Sequence, residues 1–468
     1  MLFNSYPFLF VFLPAVLLGF ALCARRAGNA GMMVFLIGVS LLFYGWWNWR
    51  YVFLLLASML FNYAWAQILL RPGVNGDRAP RKAALGFAIV VNLALLAYFK
   101  YTNFLVETLD AAFGWSWTVE HIALPLAISF FTFEQITYLV ETYRGQAPVH
   151  GALHYGAFMT FFPRLIAGPI VRPQQILPQL SAARPFGLEA DALATGLFIF
   201  AIGLFKKVVI ADTVAAYVGP IFDRAAVVSF SDGWGAAVAF ALQVYFDFSG
   251  YSDMAIGLAW MLNIRLPENF DSPYQARDIN DFWRRWHITL STFLRDYLYI
   301  PLGGNRLGAM RQAVNIAITM LLCGLWHGAQ WTAVAWGGMH AVYLLIYRAW
   351  RRLDTPLPGA AAWMLTFVAV LASYAVFRSP TFARAGLMLG GMAGAYGFAW
   401  DAVPGSIGLH EWKRMLPALL IALYLPNRQR VMQWHGLRGW PRAVAFALLA
   451  GVSILRLSDP EPFFYFQF

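Results

Sequence analysis

Two histidines in largely apolar sequence are the residues of this chain best suited to chemistry. His327 lies in the almost uncharged stretch from Leu322 to Trp331, and His287 closes the run Phe282-Trp283-Arg284-Arg285-Trp286-His287. An ionisable side chain at membrane depth is costly, so it usually marks a functional site. A neutral imidazole, with an unperturbed pKa of about 6.5, can take a proton from a hydroxyl group near neutrality. Together the two residues suggest proton-transfer chemistry on or inside a bilayer.

The neighbours of His327 predict how it is placed. On a continuous helix, Gln330 and Trp331 would share its face and set an amide and an indole beside the imidazole. Gly324 and Gly328 would share another face and permit the close approach of a neighbouring helix. The alternative is a buried histidine that joins two helices through a hydrogen bond to a carbonyl group. The intramembrane setting favours the functional interpretation.

The run that ends at His287 combines cations with indole rings. Arg284 and Arg285 can bind an anionic carrier such as a phosphate, and Trp283 and Trp286 can stack on a ligand or anchor at the interface. The alternative is an ordinary interfacial anchor on the basic face of the membrane, and the residue types leave both interpretations open.

Two carboxylates, Asp247 and Asp253, lie in a third, mainly apolar cluster that runs from Gln243 to Asp253. Paired carboxylates can carry acid–base chemistry or a proton relay. More often they pair with arginines and hold helices in place. We expect the second role here, with partners among the arginines between residues 265 and 311.

Several other kinds of site find no support. The chain has no Gly-x-Ser-x-Gly elbow, Walker loop or dinucleotide fingerprint in a suitable context, which argues against a serine hydrolase and an ATP-driven pump. Cys23 and Cys323 form neither a disulfide framework nor a metal-ligand spacing. His150 and His154 lack a third ligand. We therefore predict no metal site and no bound cofactor.

Composition indicates an integral membrane protein. Of 468 residues, 60% are hydrophobic and 12% charged, whereas soluble domains average roughly 45–50% and about 25%. We predict an all-α polytopic protein with about 11–13 membrane helices, the first of them retained because it lacks the features of a cleaved signal peptide. The segments long enough to span are 8–24, 30–49, 51–70, 83–99, 122–140, 328–347 and 361–377. The shorter or interrupted ones are 192–218, 234–262, 313–326, 385–400, 415–426 and 443–455.

The net charge of +11 is explained by loops between these segments rather than by nucleic acid binding, which we do not expect. Arg25 and Arg26 follow the first segment, and further basic residues between Arg71 and Lys82 follow the third. The loop that contains Glu120 carries acids without Lys or Arg. By the positive-inside rule the first two loops are cytoplasmic and the N-terminus lies outside.

We find no linker, low-complexity tract or internal repeat, so residues 1–468 are predicted to form a single membrane domain. Residues 262–312 are its longest polar stretch. Within it we predict a helix over 278–299, capped by Asp278 or Asn280, that lies in the interface or dips into the protein and ends at Pro301. This segment would form a cytoplasmic vestibule, or re-entrant segment, where substrate enters.

Longer motifs around both histidines resemble the membrane-bound O-acyltransferase family. The run at 282–287, with its continuation to Ser291 and then Arg295-Asp296-Tyr297-Leu298-Tyr299-Ile300-Pro301-Leu302-Gly303-Gly304, is similar to that family, as is Leu325-Trp326-His327-Gly328. The opening Phe3–Phe10 and the cluster Tyr245–Asp253 resemble its bacterial branch. The resemblance covers nearly the whole chain.

This resemblance implies a ring of helices around a thin waist, where funnels from both sides meet. The family's invariant histidine falls on His327, and the bacterial branch's second histidine on His287. The implied reaction moves an acetyl group from a cytoplasmic thioester, acetyl-CoA or another acyl thioester, to a hydroxyl group outside. The setting would be a bacterial inner membrane with a periplasmic N-terminus. The implied partners are periplasmic acetyl-transfer proteins that finish O-acetylation of an exported alginate- or cellulose-type polysaccharide.

In this mechanism His327 acts as the general base, His287 positions the donor or polarises its carbonyl group, and Arg284 and Arg285 are candidates for the donor's phosphates. Trp283, Trp286, Gln330 and Trp331 are further candidates for substrate binding.

Two alternative functions stay open. One is D-alanyl transfer to teichoic acid within the same family, and the other is a transporter of a polysaccharide or lipid-linked intermediate.

Overall fold

A computed structural model describes most of the chain. The described residues are 1–70, 79–115, 117, 120–146, 151–181, 187–398, 406–434, 439–457 and 463. Arg71 and His150, on which two of the interpretations above draw, lie outside these ranges.

Helices account for most of these residues, and the described ranges contain no strand. The helices are α1 (Leu13–Arg26), α2 (Gly28–Gly45), α3 (Arg50–Leu70), α4 (Ala79–Phe113), α5 (Ile128–Tyr143), α6 (Ala152–Thr160), α7 (Phe162–Leu165), α8 (Pro173–Leu180), α9 (Ala190–Phe205), α10 (Asp212–Ala215), α11 (Phe230–Met261), α12 (Ile279–Arg285), α13 (Ile288–Leu294), α14 (Gly308–His327), α15 (Trp331–Trp350), α16 (Gly359–Arg378), α17 (Phe382–Met392), α18 (Leu409–Tyr424), α19 (Arg428–Gln433) and α20 (Trp440–Leu455). Wider, π-type turns occur at Phe8–Phe12, Lys206–Ala211, Pro220–Arg224 and Arg295–Tyr299.

Seven helical segments within the described ranges are long and apolar enough to cross a membrane. They are Phe8–Arg26, Gly28–Gly45, Arg50–Leu70, Pro80–Phe113, Ala190–Arg224, Gly308–His327 and Gly359–Arg378. The predicted all-α, polytopic class is therefore confirmed. The total of about 11–13 membrane helices stays a prediction. Helices α11, with 32 residues, and α15, with 20, are long enough to span but fall outside this set by composition.

Contacts within the chain divide it into two compact units. The first unit comprises Met1–Ala201 and Tyr251–Pro267, and the second comprises Ile202–Gly250 and Glu268–Phe468. The single domain over residues 1–468 stays a prediction.

In the first unit, buried polar side chains pair with each other. Arg164 forms a buried ion pair with Glu134 of α5, and Asn62 of α3 and Asn92 of α4 exchange hydrogen bonds of 3.0 and 2.7 Å. Such pairs satisfy polar groups that lipid cannot satisfy. Asp253 is also buried in this unit.

The second unit contains a tightly packed hairpin of α14 and α15. A Cβ atom added to Gly324 would overlap the carbonyl oxygen of Ala333, and one added to Gly337 would overlap that of Met320. The close approach predicted at Gly324 is confirmed. The shared helical face with Gly328 is wrong, because α14 ends at His327 and Gly328 is extended, with a φ of −153°.

The polar segment of the second unit begins as predicted and then departs from the prediction. The Asp278 side chain caps α12 by accepting a hydrogen bond of 2.8 Å from the backbone N–H of Asp281. The single helix predicted over 278–299 is wrong, since the chain forms α12 and α13 with a break at Trp286 and His287. His287 therefore lies in the turn between two short helices, α12 and α13.

Candidate active site

His287 has a backbone conformation that few residues other than glycine adopt. Its φ is 42°, in the left-handed region. The backbone N–H of Ile288 donates to the carbonyl oxygen of Asn269 at 2.9 Å, and the N–H of Asp271 donates to the carbonyl oxygen of Arg285 at 2.9 Å. Residues 269–271 thus clamp both sides of the break. Strained backbone persists where its surroundings fix it, and such places are common at functional sites.

The two motif histidines meet inside the second unit. His287 is fully buried, and His327, the last residue of α14, is 3% exposed. Their ring centroids lie 6.2 Å apart. The structure therefore brings together the two imidazoles that the sequence singles out, from separate motifs.

Aromatic rings enclose this pair. The Phe248 ring meets His287 edge-on at 4.6 Å, and the Trp326 ring lies 6.1 Å from it. His327 is bordered by Trp336 at 5.3 Å and Phe377 at 6.1 Å, both edge-on. The aromatic cage, defined as Phe248, Trp326, Trp336 and Phe377, surrounds the imidazoles with apolar surface, in which electrostatic interactions are stronger than in water.

The cage determines the charge of His287. Burial, and after it the neighbouring His327, lower the pKa of His287 well below its usual range. The imidazole is therefore neutral near pH 7, with one N–H donor and one acceptor nitrogen. A neutral His287 can donate a hydrogen bond to a carbonyl oxygen without bringing a positive charge.

A third histidine, His340, makes a hydrogen bond with Trp283 of the run Phe282–His287. The indole N–H of Trp283 donates to Nδ1 of the buried His340 at 3.2 Å. Since Nδ1 accepts, Nε2 carries the proton and donates to Oγ of Ser373 at 3.0 Å, and that hydroxyl donates to the carbonyl oxygen of Val370 at 2.8 Å. Trp283 is therefore an internal residue with a fixed partner, and not an interfacial anchor.

The other residues of the run divide into buried and accessible groups. Trp286 is 2% exposed and stacks on Phe282 at 5.7 Å. Arg285 pairs with Asp281 at 2.9 Å, whereas Arg284 is exposed. Of the two arginines in the run Phe282–His287, Arg284 is the one whose side chain is exposed.

Gln330 and Trp331 do not share a helical face with His327, so this part of the prediction is wrong. The helix ends at His327, and Gln330 precedes the first residue of α15. Gln330 donates to the carbonyl oxygen of Phe377 at 3.4 Å, and Trp331 is 52% exposed. Their role in substrate binding stays a prediction.

Asp247 forms an ion pair of 3.0 Å with the buried Lys207, which also pairs with Asp212 at 2.8 Å. We expected an arginine between residues 265 and 311 as the partner, and for this ion pair that prediction is wrong, because the partner is Lys207. Because Asp247 precedes Phe248 on α11, the pair fixes the part of that helix that contacts His287. The geometry agrees with a structural role for this carboxylate.

Sequence reasoning missed the contributions of Trp336 and His340. Thr332, Trp336 and His340 follow each other at four-residue intervals on α15, so they share one face. A stripe of polar atoms along an apolar helix was the signal that could have identified them.

Comparisons with known proteins agree with the two motifs. The MBOAT, membrane-bound O-acyltransferase family, matches residues 41–372, a range that contains both histidines. The chain is 36% identical to the peptidoglycan O-acetyltransferase of Helicobacter pylori, over 100% of this chain and 98% of the relative. It is 42% identical to the probable alginate O-acetylase AlgI of Pseudomonas aeruginosa, over 81% and 72%. It is 29% identical to the teichoic acid D-alanyltransferase of Bacillus subtilis, over 55% and 69%. The chain belongs to the membrane-bound O-acyltransferase family, and it is an acyltransferase.

Proposed function

We propose that this member of the membrane-bound O-acyltransferase family moves an acetyl group from a cytoplasmic thioester donor across the membrane, to a hydroxyl group on the outer side, for the O-acetylation of an exported polysaccharide. The donor is acetyl-CoA or another acyl thioester. The observation that carries the proposal is the buried pair of His287 and His327, 6.2 Å apart and enclosed by aromatic rings. Such a pair can remove a proton from a hydroxyl group. The rings around it exclude water, which would otherwise hydrolyse the thioester.

His327 is the general base of this reaction. Its imidazole takes the proton of the hydroxyl group whose oxygen attacks the carbonyl carbon of the thioester. The tetrahedral intermediate then collapses, the C–S bond breaks, and the proton passes from His327 to the departing thiolate. His287, which is neutral, donates its N–H to the donor's carbonyl group or holds the donor in place.

Arg284 is the better of the two arginine candidates for the donor's phosphates. It is exposed, whereas Arg285 is engaged with Asp281. Arginine binds phosphate through a planar fork of N–H donors. Arg285 then has the supporting role of holding α12 in the conformation that presents Arg284.

The acceptor is an alginate- or cellulose-type exopolysaccharide of a bacterium, modified with the help of periplasmic acetyl-transfer proteins. Support comes from the 42% identity with the Pseudomonas relative. Peptidoglycan is the second candidate, because the Helicobacter relative aligns over the full length of this chain. D-alanyl transfer is less well supported, since that relative aligns over 55% of the chain.

The experiment supplies labelled acetyl-CoA to inside-out and right-side-out inner-membrane vesicles that contain the protein. Acetyl-CoA does not cross membranes, so only inside-out vesicles should incorporate alkali-labile label. Exopolysaccharide and peptidoglycan are then separated and counted, which distinguishes the two acceptors. Absence of ester-linked label from both orientations, with the protein folded and the acceptor present, would favour the transporter and contradict an acetyl-CoA-dependent transferase.

A further inference from the structure

The indole N–H of Trp336 is a buried hydrogen-bond donor beside His327. Trp336 is 3% exposed, and its Nε1 has no hydrogen-bond partner in the part of the chain that the structure describes. Two other indoles of this unit have partners: the buried Trp283 donates to His340 at 3.2 Å, and the half-buried Trp234 donates to the carbonyl oxygen of Met392 at 2.9 Å. The large majority of buried side-chain polar atoms have a hydrogen-bond partner, so an unpaired indole N–H calls for an explanation.

The position of this indole is fixed by its surroundings. The centroid of its ring lies 5.3 Å from that of His327 and 5.3 Å from that of Phe377. The ring of His340, one turn further along α15, lies 4.7 Å away. His340 is itself held by Trp283 and Ser373. A side chain enclosed in this way cannot turn to find a partner elsewhere.

The packing of α14 against α15 fixes the indole along the helix axis as well. Gly337 follows Trp336 directly, and its Cα lies so close to α14 that a Cβ atom would overlap the carbonyl oxygen of Met320. Gly324, three residues before His327, makes the reciprocal contact with Ala333. The two glycines therefore hold the imidazole of His327 and the indole of Trp336 at one level of the hairpin.

Acyl transfer requires a donor at this point. When a hydroxyl oxygen attacks a thioester, the electron pair of the C=O double bond moves to oxygen and leaves an oxyanion. Donors that are already in place and aimed at this oxygen lower the barrier, since they need no reorganisation during the reaction. The proposed mechanism assigns His327 to the proton and at most one N–H, that of His287, to the carbonyl oxygen, so the oxyanion can accept from a further donor.

We propose that Trp336 is a catalytic residue whose indole N–H donates a hydrogen bond to the acyl carbonyl oxygen and stabilises the oxyanion. This proposal rests on the acetyl transfer proposed above. The hydroxyl oxygen forms its bond to the carbonyl carbon, His327 receives the proton, and Trp336 holds the negative oxygen. When the C=O bond re-forms, the C–S bond breaks and the thiolate takes the proton from His327.

The test compares Trp336→Phe with the wild type in inside-out vesicles, with labelled acetyl-CoA as the varied substrate. Loss of one oxyanion donor should lower kcat by about 100-fold, with KM for acetyl-CoA within about threefold, because the donor acts mainly in the transition state. Trp234→Phe is the matched control. It also loses an indole hydrogen bond, in this case a part-buried one to the carbonyl oxygen of Met392 and away from the cage, and should keep kcat within about twofold of wild type.

A second variant separates the N–H from the ring. Replacement of Trp336 by benzothienylalanine puts sulfur in place of the N–H and keeps the shape of the indole, so it tests the proposal even if Trp336→Phe does not fold. It should reproduce the loss of kcat in folded protein. Wild-type kcat in either folded variant would overturn the proposal for Trp336, and absence of acetyl transfer in the wild type would instead contradict the proposed function.

Discussion

At the residue scale, two imidazoles define the site, and the sequence identifies both. An ionisable group in an apolar stretch is costly enough to be informative by itself, which is why His287 and His327 could be predicted. Trp336 and His340 share a helical face that the sequence shows, but their contacts with the motif residues exist only after the chain reverses at Gly328. Tryptophan is also common in membrane proteins for reasons unrelated to catalysis.

His287 should tolerate asparagine better than alanine. Asparagine adopts the left-handed conformation more readily than alanine and retains an N–H donor, whereas alanine has no polar atom in its side chain. We expect His287→Ala to lower kcat by about 100-fold and His287→Asn by about tenfold, as for the loss or displacement of a polarising donor. Initial rates with labelled acetyl-CoA measure this. Equal rates for His287→Ala and wild type would contradict a role in the reaction.

At the scale of elements, the hairpin of α14 and α15 and the break between α12 and α13 position the site. The sequence predicts the close helix packing at Gly324, since small residues mark such contacts in membranes. It does not predict the break at His287, because the helical spacing of residues 278–299 is satisfied by one helix as well as by two. The competing interaction is the clamp from residues 269–271, which is distant in sequence.

Gly324→Ala should disrupt the hairpin. The added methyl group would overlap the carbonyl oxygen of Ala333, a backbone atom that cannot move aside without shifting α15. We expect the yield of monodisperse protein in detergent to fall by at least about fivefold, in line with overpacking by a few kcal/mol. Gly338→Ala is the control, since its Cβ would meet only Leu321 at 3.5 Å. Similar yields for both variants would show that the close approach is not required.

Lys207→Met should destabilise the second unit. It removes the cation from Asp247 and Asp212 and leaves a buried carboxylate without this partner. Breaking a buried ion pair in this way costs about 3–5 kcal/mol. Unfolding by a titration of SDS into mild detergent measures the loss, and Lys206→Met, at the neighbouring half-buried position, should lose less. An unchanged midpoint for Lys207→Met would show that the ion pair contributes little.

At the scale of the whole molecule, hydropathy predicts the class of protein but not its complete architecture. Length and apolarity identify membrane helices because lipid cannot satisfy a backbone outside a helix or barrel. Helices with many polar or aromatic residues, such as α11 and α15, fall below that criterion because these residues lower the mean hydropathy. The same helices carry Asp247, Trp336 and His340, so the side chains that build the candidate site also cause the uncertainty in the helix count.

The orientation of the chain can be tested with single cysteines. In a background of Cys23→Ser and Cys323→Ser, Ala27→Cys lies beside the basic pair Arg25 and Arg26, and Glu120→Cys lies in an acidic loop. By the positive-inside rule, a membrane-impermeant maleimide should label Glu120→Cys in cells with an opened outer membrane. Ala27→Cys should react only after the inner membrane is opened. The reverse pattern would place the N-terminus in the cytoplasm.

The proposed acetyl transfer depends on His327 as its general base. The most direct test is the rate of transfer from labelled acetyl-CoA by His327→Gln in inside-out vesicles, compared with His410→Gln at an exposed position of α18. We expect His327→Gln to lower kcat by at least about 100-fold, the usual contribution of a general base, while His410→Gln stays at the wild-type rate. Folded His327→Gln protein with wild-type kcat would contradict this role of His327.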